Sequence, residues 1–215
     1  SVFRESRPHH IFVGTAAGEF WALEPESLAW DPVEMAEQWP TVLEGEWVGE
    51  IHVAPGGDVW LVVSGPGRIN AAAATTHLHA RAGFPWDNTW INAGIAGHAD
   101  LPQGEARIAH KITDKASGKS WYPALVTGSP WESAPLLTVD QPDREYAYDG
   151  LVDMEASAFV ETALRFSTGE LVHVLKIVSD NRESPAVIPT ASQLESWIAP
   201  HMAPLEEFCR SLERL

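Results

Sequence analysis

Apolar positions along the chain fall into runs of two periods. HIFV, from His10 to Val13, runs into Gly14 and predicts a strand, followed by a helix from about Gly18 to Leu23 that Pro25 ends. Residues 25–46 are rich in Pro, Glu and Trp and predict one short helix near Val33–Gln38. Trp47–Val53 and Val59–Val63 read as strands, and APGGD between them has hairpin chemistry because its glycines supply positive φ. The small residues of INAAAATTHLHAR predict a helix over Ile69–Arg81, launched from the GPG turn and stopped by Gly83. NTWINAG and EARIAHKI follow as strands, the first leading into a GIAG turn.

From Thr113 to Gly150 the pattern is loop-like, broken by a strand at Leu136–Val139. The last third predicts a strand at Leu151–Asp153, a helix over Glu155–Phe166, a strand at Leu171–Val178, and a helix over Ala191–Leu215 bent at Pro204. Strands alternating with helices imply an α/β fold: a single domain over residues 1–215, with a central mixed, mostly parallel twisted sheet flanked by helices. In such sheets ligands bind beyond the carboxyl ends of strands. That rule selects Gly14–Glu19, Ser64–Arg68, Ala93–His98, Asp153–Glu155 and Ser179–Asn181.

Charge narrows the ligand. The 30 acidic and 14 basic residues give a net charge of -16, which opposes a nucleic-acid or anionic-membrane partner and suits a small neutral or zwitterionic molecule. One cysteine, Cys209, excludes an internal disulfide framework and a thiol cluster for a metal. The segment SVFRESRPHH lacks the apolar core of a signal peptide, and no run reaches the ~20 apolar residues of a membrane span. A soluble cytoplasmic protein is expected.

Cofactor motifs are weak. GPGRIN has Asn70 where the dinucleotide fingerprint wants a third Gly or Ala, and no P-loop is present. His77 and His79, two apart on a helix, point to different faces, so a metal site is not expected there. No cofactor and no metal are therefore anticipated. The carboxylates carry more. Glu19, Glu155 and Asp180 each read singly as a helix-start or capping acid, but all three lie where strands end on the same predicted ligand edge.

GPGRINAAAATTHL, INAGIAGHADL, EARIAHKITD, VDMEASAF and LKIVSDN occur in an order and spacing that resembles the nucleoside phosphorylase/nucleosidase superfamily, most closely its methylthioadenosine/S-adenosylhomocysteine nucleosidase branch. The resemblance covers residues 10–24, 60–112 and 150–182. It implies a catalytic pair, with Glu19 positioning and deprotonating a water and Asp180 donating a proton to the purine, Ser179 beside it. Met154 would pack on the ribose, Glu155 would accept from ribose hydroxyls, and Ala96 and Gly97 would bring backbone close to the nucleoside. Cleaving an N-glycosidic bond places positive charge on the sugar and negative charge on the base, so carboxylates near one and a proton donor near the other suit the chemistry.

Phosphorylases of this superfamily hold phosphate with arginines, whereas GTAAGEF carries Glu19 and TWINAG carries Asn92 at the corresponding places. Water is the expected nucleophile and a purine-type nucleoside the expected substrate, with a phosphate-dependent phosphorylase as the alternative. Ile95, where the branch commonly has a small polar residue, and the short 113–150 region keep a nucleoside-binding protein without turnover as a second alternative. The resemblance also implies self-association, a homodimer first.

Overall fold

The computed structural model describes residues 59–84, 86 and 88–214, together with the backbone of three strands, β1 (His10–Gly14), β2 (Asp31–Pro32) and β3 (Ile51–Val53). The expected helices at 18–23 and 33–38, and Glu19 itself, lie outside the described residues. β4 (Val59–Val63) pairs antiparallel with β3, as the APGGD connection predicts, and parallel with β1. Gly65 and Gly67, both at positive φ, then turn the chain into α1 (Arg68–Arg81).

β5 (Thr89–His98) is the spine of the sheet. Its first half pairs parallel with β1, and β10 (Val172–Asp180) pairs parallel along its other edge. β6 (Ala106–Asp114) lies antiparallel to β10 and parallel to β8 (Ser133–Thr138), while β7 (Ser120–Trp121) pairs with the end of β6. β9 (Leu151–Asp153) lies parallel to β8 and then antiparallel to the tip of β5, at Gly97 and His98. The five strands β5, β10, β6, β8 and β9 therefore close into a ring, from which β1, β4, β3 and β2 extend as an open wing.

Closure corrects two expectations. The sheet is mixed and flanked by helices as anticipated, but part of it is a barrel rather than an open sheet. GIAG is strand, not turn: β5 continues through Gly94–Gly97, and glycines there let it curl to reach β9 at its tip. The region from 113 to 150 also holds β7 and a strand set at Ser133–Thr138 rather than 136–139.

Period-two alternation places the cores. Trp60 and Val62 of β4, Trp90 of β5 and Val174 of β10 join Leu78 of α1 and Phe159 of α2 (Ala156–Ala163) on one side. Leu61, Ile91, Leu175 and Ile177 face the other way, under α3 (Ala191–Ile198) and α4 (Met202–Leu212), where Leu194, Leu205, Phe208 and Leu212 are buried. The C-terminal helix breaks at a 3₁₀ turn, Ala199–His201, with Pro200 inside it, rather than bending at Pro204. Pro204 sits in the first turn of α4, where its missing N–H deprives the helix of no bond.

Candidate active site

The site begins at the join between β9 and α2. Asp153, 4% exposed, ends β9 and caps α2: Ala156 N–H donates to its Oδ2 at 2.8 Å and Thr138 Oγ1 donates to its Oδ1 at 2.7 Å. Ser157 N–H donates in turn to Thr138 Oγ1 at 3.0 Å. Asp153 is thus a structural acid, which frees its neighbour. Glu155 stands just before the first helical residue, yet its carboxylate does not cap its own helix. It reaches across to the glycine turn, where Gly67 N–H donates to Oε1 at 2.7 Å, and Met154 N–H donates to Oε2 at 3.3 Å.

Beneath these acids lies a buried cation. Lys176, wholly enclosed in β10, places Nζ 3.0 Å from Asp153 Oδ2 and 3.9 Å from Glu155 Oε2. A charge that deep is tolerated when opposite charges compensate its lost hydration, and the two carboxylates do so. Nothing in the sequence beyond its charge singles out Lys176, because LVHVLKIV reads as an apolar core strand that has no solvent face.

The second half of the site is built on a bulge. Val178 of β10 pairs with Ala96 of β5 and Asp180 with Gly97, so two steps on one strand match one on the other and Ser179 is the extra residue. Ser179 Oγ donates to Asp180 Oδ1 at 2.5 Å. A Cβ on Gly97 would stand 2.8 Å from Asp180 Oδ2, closer than side chains approach one another, so the glycine makes room for the acid. Tyr146 donates its hydroxyl to the same Oδ2 at 2.9 Å. No sequence signal singled out Tyr146.

These parts converge on one cavity of about 450 Å³. Met154, Glu155, Ala96, Gly97, Ser179 and Asp180 all line it, with Ile95, Tyr146 and the segment Ala186–Pro189. The structure therefore brings together every sequence-predicted site residue except Glu19, which lies outside the described residues. Trp121, Tyr122 and Trp131, aromatics of the 113–150 region, are not among the lining residues, and Trp131 donates to His201 Nδ1. His98 is also structural: its Nδ1 accepts the N–H groups of Asp100 and Leu101. His79 stacks on Phe166 with ring centroids 3.9 Å apart. Among the described residues, no group of three or more His, Cys, Asp or Glu could hold a metal ion.

Four described lining residues are carboxylates (Asp143, Asp153, Glu155 and Asp180) and one is a cation, the exposed Arg144. Lys176, behind this wall, offsets Asp153 and Glu155, so the lining acids are partly compensated. Asn92, at the place where the resemblance led to comparison with an arginine, is fully buried in β5 and is not among the lining residues.

No protein-family model matches the chain, and no curated protein matches it. Solved structures do. The 5′-methylthioadenosine/S-adenosyl homocysteine nucleosidase of Campylobacter jejuni is similar with a TM-score of 0.69 at 13% identity, over 97% of this chain and 100% of that one. Futalosine hydrolase of Helicobacter pylori is similar with a TM-score of 0.66 at 13% identity, over 97% of this chain and 99% of that one. The nucleosidase of Colwellia psychrerythraea, solved in complex with adenine, gives 0.63 at 19% identity, over 96% and 95% of the two chains. At these identities it is the architecture that is shared: the chain has the fold of these nucleosidases and of futalosine hydrolase.

Proposed function

We propose that the chain is a nucleosidase that hydrolyses the N-glycosidic bond of a purine-type nucleoside, of the methylthioadenosine or adenosylhomocysteine kind. The observation that carries the reading is the convergence of Met154–Glu155 and Ser179–Asp180 on one cavity of about 450 Å³, roughly the size a nucleoside fills. As the C1′–N bond breaks, its electron pair departs on the base, and Asp180 supplies the proton that neutralises it. Glu155 accepts from ribose hydroxyls while positive charge grows on the sugar, and the Met154 thioether packs against the ring. Water forms the new bond to C1′ and gives its proton to Glu19. Free base and free sugar result, and return of that proton to Asp180 restores the starting state.

The described lining offers a phosphate one cation, the exposed Arg144, while the buried Lys176 is already shared by Asp153 and Glu155, which supports water over phosphate. Asp180→Asn should keep the fold and lower kcat on a purine nucleoside by about a hundredfold or more, since it removes the proton donor. Base release measured by absorbance, alongside circular dichroism, tests this. Full activity in Asp180→Asn would sink the assignment of the acid.

A further inference from the structure

We infer that Tyr146 is a positioning residue for the proton donor: its hydroxyl orients the Asp180 carboxyl and steadies it as the proton leaves. The inference rests on the proposed function above, and it concerns a residue from a stretch, DREYAYDG, that carries no recognisable motif. Three segments meet at this side chain. The Tyr146 hydroxyl donates to Asp180 Oδ2 at 2.9 Å and accepts from Ala186 N–H at 2.9 Å, while the Tyr146 carbonyl accepts from Arg182 Nη2 at 2.8 Å. The ring is 6% exposed, and the backbone is held at φ 48°. A non-glycine residue is uncommon in that region, so the surrounding contacts impose the conformation.

The direction of the hydrogen bond follows from these partners. Because the phenol oxygen takes the Ala186 N–H, its own hydrogen is committed to Asp180. Ser179 holds the other carboxyl oxygen, and Gly97 leaves no side chain to push the first one aside. Burial, then the neighbouring Asp180 and Asp143, hold the phenol above its ordinary pKa against the opposing Ala186 N–H, so it keeps its proton near neutrality. An O–H donated to a carboxylate is stronger than one donated to a neutral acid. The contact therefore strengthens as Asp180 gives its proton to the base, and its contribution belongs to kcat rather than to KM.

The test compares Tyr146→Phe, Asp180→Asn and the double variant with the parent on two substrates. One is a purine nucleoside that the parent cleaves; the other is 4-nitrophenyl riboside, whose nitrophenolate departs without a proton. Tyr146→Phe should lower kcat on the nucleoside about ten- to a hundredfold with KM little changed. It should leave the nitrophenyl riboside nearly unaffected and add nothing to Asp180→Asn. Equal losses on both substrates, an additive double variant, or no loss at all would overturn the inference. If Tyr146→Phe does not fold, 3-fluorotyrosine at 146 keeps ring and hydroxyl; it should alter kcat on the nucleoside alone, and an unchanged kcat would overturn the inference too. A parent that releases base from no nucleoside removes the proposed function and this inference together. A parent that is active while Tyr146→Phe matches it removes only the inference.

Discussion

Gly97 and Lys176 show how two residues without chemistry of their own would govern the acids beside them. A methyl group at 97 would stand 2.8 Å from Asp180 Oδ2, so Gly97→Ala should displace the carboxyl. It should lower kcat about tenfold or more while the melting temperature moves by a few degrees, because one contact at a strand end is disturbed and the core is not. Unchanged turnover in this variant would show that the position of Oδ2 does not matter. Lys176→Met has the opposite profile. Removing the ammonium strands Asp153 and Glu155 without their shared cation, a loss of about 3–5 kcal/mol when a buried pair is broken from one side. Urea unfolding would measure it, and a loss below about 1 kcal/mol would mean that solvent or proton uptake replaces the cation. Glu155 and Asp180 stand out in the sequence because one follows a strand end and the other closes a strand, each in a recognisable block. Lys176 and Tyr146 do not, because one sits in an apolar run and the other in a polar loop, and only the closed barrel brings them to the acids.

At the scale of elements, the sequence disclosed the pieces better than their closure. Strand β9 was read with its observed bounds, and α1 to within one residue, because capping residues and glycine stops mark them locally. The ring of β5, β10, β6, β8 and β9 was not legible, since strand pairing over long separations leaves no periodic trace, and GIAG looks like a turn until its pairing with β9 is seen. Asp114, at the end of β6, ties three elements together. Arg68 Nη1 at the start of α1 and Ser157 Oγ of α2 both donate to its Oδ2, at 2.5 and 2.9 Å, and Ser117 N–H and Oγ donate to its Oδ1. Burial by itself would raise this carboxyl, but the bonds from Ser117, Ser157 and Arg68 outweigh it and hold the pKa down to about 2. His173 of β10 behaves differently: burial, partly offset by the Glu170 carbonyl, lowers it to about 4. Both groups have folded pKa values below their unfolded ones, so between those values the unfolded chain binds more protons and stability is lost as the pH is lowered. The His173 contribution should disappear between about pH 6.5 and 4, and the Asp114 contribution as the pH falls from about 4 toward 2. Melting temperatures across that range should fall in both windows, with the lower step missing in Asp114→Asn; a flat profile would contradict the assignment.

At the scale of the whole molecule, the net charge of -16 and the carboxylate-lined cavity point the same way. An acidic surface repels polyanions, and a cavity whose one cation among the described lining residues is the exposed Arg144 makes a poor seat for a free phosphate. Among the described residues no helix is long and apolar enough to cross a membrane. The fold is shared with nucleosidases at 12–19% identity, a level at which architecture persists while substrate preference drifts, so substrate choice rests on this chain's own cavity walls. Ile95, Tyr146, Val187 and Ile188 are among those walls, the last two largely exposed. The proposed function makes water, not phosphate, the nucleophile at the sugar. It is tested most directly by incubating a panel of purine nucleosides, methylthioadenosine and adenosylhomocysteine among them, with and without phosphate. The prediction is free base and free sugar at a rate that phosphate does not change; turnover that strictly requires phosphate and yields a ribose 1-phosphate, or no base release from any member, would contradict it.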